Sequence, residues 1–147
     1  TADPEPAENR GPYRKLAFIG RWLGFRLVVN RLMNIMFSQS FLNDPDKQAV
    51  RERWHRHFLS LNKAGTSRSA HGVIDRQGVY EQLGQISTPT LIVVGDEDVA
   101  TVPAKSERMH AAIEGSKLVV IPRAGHSASI ERPGAVSRAM EDFLQNL

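Results

Sequence analysis

Two short runs of apolar, largely β-branched residues, TLIVV at 90–94 and KLVVI at 117–121, constrain this chain more than any other feature of it. Such runs lack polar alternation and read as strands covered on both faces, the pattern of a parallel sheet. Between them Pro103 opens and Gly115 closes a helix whose apolar face is Met109, Ala112 and Ile113. Beyond Arg132-Pro133, the residues Val136, Met140, Phe143, Leu144 and Leu147 recur at helical spacing. The order predicts a parallel βαβα core over residues 86–147 with a right-handed crossover. The fold class is therefore α/β.

Upstream the pattern is helical. Residues 1–12 contain Pro4, Pro6 and Pro12 and are expected to form a lead-in loop. From Tyr13 to about Phe37 apolar residues recur at three and four spacing (Leu16, Ile19, Leu23, then Leu27, Leu32, Ile35 and Met36), with Gly24 dividing two helices. Asn43, Asp44 and Pro45 signal the start of a long helix reaching about Lys63, striped by Val50, Trp54, Phe58 and Leu61. A fourth helical stretch, Ser69 to Leu83, is weakened by Gly72 and Gly78. The division is thus 1–12 lead-in, 13–85 helical region and 86–147 core.

Composition removes several function classes. With 41% hydrophobic residues the chain can bury a core, which excludes disorder as its main state. There is no cysteine, so disulfides, thiolate metal sites and a cysteine nucleophile are out. No apolar run approaches the roughly 20 residues that cross a bilayer, and the polar, proline-rich start is unlike a secretory signal. A soluble, cytoplasmic protein without membrane contact is expected. Residues 1–89 hold 13 Lys/Arg against 8 Asp/Glu, and residues 90–147 hold 6 against 8. That basic surplus is too dilute for a nucleic-acid face. His55 and His57, two apart on a helix, point about 200° apart and cannot share a metal ion.

Ligands of open α/β sheets bind beyond the carboxyl ends of the strands. The first strand is followed there by GDEDVAT (95–101) and the second by RAGHSASIERP (123–133). Three acids and a histidine thus reach one edge, and as residue types any of the acids could partner His126. Alone, the acids would read as solvation and helix capping. Gly125-His126-Ser127-Ala128-Ser129 imitates a nucleophile elbow, G-x-S-x-G. A serine, Ser129, stands in its last place instead of glycine, and Ser127 lies too far from the strand, with no histidine after position 126.

PTLIVVGDED, with GHSASIERP placing His126 28 positions after Asp98, resembles the C-terminal part of an α/β-hydrolase of the esterase, enol-lactonase and cofactor-free haloperoxidase-like branch. The resemblance puts the triad acid at Asp98, in G-x-x-D from Gly95, and the triad base at His126, with Glu131 and Pro133 matching the same loop. It passes over Asp96 and Glu97. It makes residues 13–85 a helical cap and implies a serine hydrolase of small carboxylic esters or lactones, with no cofactor and no metal. In that family the serine stands in a G-x-S-x-G elbow upstream of the acid, beside the oxyanion donors. No such elbow occurs in this sequence. The chain alone is therefore expected to be inactive, and either to pair with a missing N-terminal portion of the same protein or to self-associate. A non-catalytic binding module with the same fold is the alternative.

Overall fold

The computed structural model describes residues 1–147. In chain order the elements are α1 (Ala7–Trp22), α2 (Val29–Met36), α3 (Gln39–Leu42), α4 (Gln48–Ser60), α5 (Lys63–Ile74), β1 (Leu91–Gly95), α6 (Pro103–Ala112), β2 (Lys117–Ile121), α7 (Ala128–Glu131) and α8 (Pro133–Leu144). Short 3-10 turns stand at Phe25–Leu27, Pro45–Lys47 and Tyr80–Gln85. No helix is long and apolar enough to cross a membrane. The chain forms two compact units. One holds residues 1–2, 34–44 and 79–147, the other 3–33 and 45–78.

The first unit contains the sheet. β1 and β2 pair in parallel with Leu91 opposite Lys117 and Gly95 opposite Ile121, and α6 makes the crossover. Successive side chains of a strand point to opposite faces, and β1 divides accordingly. Ile92 packs with Leu83 and Ile113 in a buried cluster that Met109 and Ala112 of α6 extend. Val93 packs with Val119 against Ile121, Ala124 and Ala128, where Ala135 and Val136 of α8 join. An open groove of about 390 Å³ runs along that second face beside Leu91, Val119, Ala139 and Phe143. No further strand pairs with β1. The parallel βαβα order and both strand positions agree with the sequence reading.

The second unit is helical, and here the sequence reading needs correction. Residues 1–12 are not all loop, because α1 begins at Ala7 and carries Pro12 inside it. The anchor is Glu5, whose carboxylate is buried and accepts from Arg76 Nη2 at 3.0 Å and Asn9 Nδ2 at 3.0 Å. Arg10 Nε adds a bond to the Glu5 carbonyl at 2.9 Å. These bonds hold the first turn in place, and Pro12 costs only a backbone bond further along. The break between α1 and α2 falls at Gly24, φ 101°. The helix expected from Ser69 starts earlier, at Lys63, because the Asn62 side chain accepts from Gly65 N at 2.8 Å. It ends at Ile74 and does not reach Leu83. The stretch 13–85 is also divided between the units, since 34–44 belongs with the sheet.

Candidate active site

At the carboxyl end of β1 the chain turns sharply against the end of β2. Asp96 N donates to the Ile121 carbonyl at 3.1 Å and Glu97 N to the Ala124 carbonyl at 2.9 Å, so the pairing runs past the strands into both loops. Gly95 permits this approach. A Cβ there would overlap the Ala124 carbonyl oxygen, so no larger residue fits without parting the loops.

Asp98 lies three residues on and is buried. Its Oδ1 accepts from Ala100 N at 2.9 Å and Thr101 N at 2.8 Å, a local turn that fixes the carboxylate plane. Its Oδ2 accepts from Thr101 Oγ1 at 2.7 Å and from His126 Nδ1 at 3.0 Å. Thr101 Oγ1 itself stands 3.3 Å from His126 Nδ1. Burial alone would raise the Asp98 pKa. The bonds from His126 and from the Thr101 backbone and hydroxyl outweigh burial and hold it below the ordinary carboxylate range. The structure thus joins the two expected residues, Asp98 and His126, in one hydrogen bond. His126 is itself exposed, with Nδ1 turned to the carboxylate. Nε2 is then the nitrogen that faces any proton donor or acceptor.

The other two acids go elsewhere. Asp96 accepts from Ala124 N at 3.3 Å. Glu97 accepts from Ser40 N at 2.9 Å and from the Ser40 hydroxyl, and these bonds hold its pKa below the usual value. Glu131, one residue type in a matched motif at the sequence level, is 1% exposed and bonded on both oxygens. Oε1 accepts from Gly125 N at 3.0 Å, and Oε2 from Ser38 N at 3.0 Å and Ser38 Oγ at 2.5 Å. Ser127 is buried at the start of α7, six residues past the end of β2, with its amide donating to the Met36 carbonyl. Sequence reasoning missed Ser38, Ser40 and Thr101. Only Thr101 left a signal, since an Asp side chain commonly accepts from the backbone amides just after it. No group of three histidine or acidic side chains is arranged to hold a metal ion.

Known proteins share this fold. An esterase from Thermogutta terrifontis is 30% identical and superimposes over 99% of this chain and 53% of its own, with a TM-score of 0.85. The enol-lactonase of Burkholderia xenovorans LB400 shares the fold at 22% identity and a TM-score of 0.84, over 98% of this chain and 53% of that one. The pimeloyl-[acyl-carrier protein] methyl ester esterase of Neisseria meningitidis is 26% identical over 131 residues, 86% of this chain and 50% of that protein. The chain spans about half the length of these relatives. The profile of the alpha/beta hydrolase family matches residues 2–139. That match spans nearly the whole chain, and the chain therefore belongs to the alpha/beta hydrolase family.

Proposed function

We propose that this chain supplies the acid and the base of a serine hydrolase acting on small carboxylic esters or lactones, Asp98 and His126, and that the nucleophilic serine comes from sequence upstream of Thr1. The observation that carries the reading is the 3.0 Å bond from His126 Nδ1 to Asp98 Oδ2 at the ends of two parallel strands. A carboxylate on Nδ1 fixes the tautomer, so Nε2 can take the proton of a serine hydroxyl as it attacks the carbonyl carbon. The imidazolium so formed is stabilised by Asp98. It then gives the proton to the leaving alcohol, and a water repeats the cycle on the acyl-enzyme. Ester chemistry is favoured by the names of the relatives, an esterase and a methyl ester esterase. The helical unit takes the role of a cap.

The test is labelling with a phosphonate probe of active serines, applied to the polypeptide that includes the sequence preceding Thr1. Labelling at a serine in a G-x-S-x-G elbow, lost in His126→Ala, is the expected result. A folded parent that never labels would remove the hydrolase reading and leave a binding module.

A further inference from the structure

The residues on either side of His126 are tied, one through Glu131 and one directly, to a segment far away in sequence. Gly125 N donates to Glu131 Oε1 at 3.0 Å, and Glu131 Oε2 in turn accepts from Ser38 N and Ser38 Oγ. Ser127 N donates directly to the Met36 carbonyl at 3.0 Å. The same segment also grips the acid side, because Ser40 N donates at 2.9 Å to Glu97, the residue before Asp98. Ser38 and Glu131 are each 1% exposed. A Cβ on Gly125 would stand 2.5 Å from Ser38 N, so the contact is close at the backbone level as well. A carboxyl group enclosed this deeply needs partners, and both Glu131 oxygens accept from donors of fixed position.

We infer that residues 36–40 act as a splint for the acid–base pair, with Glu131, through Ser38, as a positioning residue for His126. The inference rests on the assignment of Asp98 and His126 as acid and base. Without the splint the loops stay joined through Asp96, Glu97 and Ala124, but the backbone from Gly125 to Ser127, which lies beyond those bonds, loses its outer ties. A small shift of that backbone aims the imidazole away from Asp98. Neither Glu131 nor Ser38 touches the reacting atoms.

The experiment compares Ser38→Ala and Glu131→Gln with Ser116→Ala in the complete enzyme. Ser116 is also a buried serine, bonded to His110 Nδ1 at 2.8 Å just before the opposite end of β2. Two readouts are followed beside thermal unfolding. One is the proton resonance of His126 Nδ1–H, and the other is kcat against KM on a nitrophenyl ester. Ser38→Ala and Glu131→Gln should lose the protected resonance and fall about 10- to 100-fold in kcat, the scale of a misplaced catalytic group, with KM changed less than about threefold. Ser116→Ala should keep both. Glu131→Gln exchanges an acceptor for a donor, and if it does not fold, Ser38→Ala carries the test by removing only the hydroxyl. An unchanged resonance and kcat in Ser38→Ala overturn the splint, as does an equal loss in Ser116→Ala. Asp98→Asn separates the two ideas. If it too leaves the resonance and kcat intact, the acid–base assignment falls; if it abolishes them while Ser38→Ala does not, only the splint falls.

Discussion

Asp96, Glu97 and Asp98 leave one strand end in succession and reach three different partners, Ala124 N, Ser40 and His126. As residue types they are interchangeable, and what separates them is the direction each side chain leaves the turn. In the complete enzyme Asp98→Asn should lower kcat about ten-thousand-fold, by analogy with the triad acid of a serine protease, and Asp96→Asn far less. Steady-state kinetics on one ester would show it. Equal losses would move the acid to another position. Thr101 supplies a second residue-scale expectation. Its hydroxyl donates to the same Asp98 oxygen that His126 uses, and it is one of the bonds that depress the Asp98 pKa. A depressed carboxylate adds stability above its unfolded pKa, near 3.9, and loses it as pH falls through the folded value. Thr101→Val removes one donor, so the stability that ionised Asp98 adds should be lost at a higher pH in the variant, read by denaturation across the acid range. A loss at the same pH would mean the hydroxyl contributes nothing to the charge on Asp98. Asp98 and His126 were legible because both follow strand ends at motif spacing. Ser38 and Ser40 were not, since their partners lie 93 and 57 positions away in sequence.

Among the elements, those with many residues of one period were readable and those fixed by single bonds were not. α8 and the two strands stand where the periodicity puts them. α3 and α7 have four residues each, about one turn, which shows no period. α1 was misread at its start because proline count argues for loop, and only the buried Glu5–Arg76 pair, 71 positions apart, argues against. The tight end of β1 gives the element-scale prediction. Gly95→Ala should cost about 1–3 kcal/mol or more, as overpacking does, because its methyl meets backbone that cannot swing aside. Chemical denaturation reads the loss. Gly72→Ala in α5 meets nothing within 4 Å and should instead be neutral or gain up to about 1 kcal/mol.

At the scale of the molecule, a two-stranded parallel sheet leaves the outer edge of β1 with a row of unpaired backbone groups. Val120 is 43% exposed on β2, which is high for a parallel strand. We expect the isolated 147-residue chain to recruit the remainder of its protein to that edge or to associate with copies of itself. Sedimentation at about 10–50 μM, where exposed edges associate, would show dimers or larger species. A compact, reversible monomer would mean the edge is protected in solution.

The position of residues 34–44 has a bearing on descent and on protein engineering. They belong to the sheet-bearing unit yet are flanked on both sides by sequence of the helical one, so the chain passes between the units four times. Exchanging the helical unit with that of a relative by a single swap of 3–78 would import foreign residues opposite Glu97 and Glu131. A chimera cut in two pieces, 3–33 and 45–78, retains the host's island between them. The same asymmetry gives the two kinds of sequence different freedom to drift. The helical stretches on either side can diverge piecemeal, while the eleven-residue island between them can change only in step with two carboxylates on distant loops.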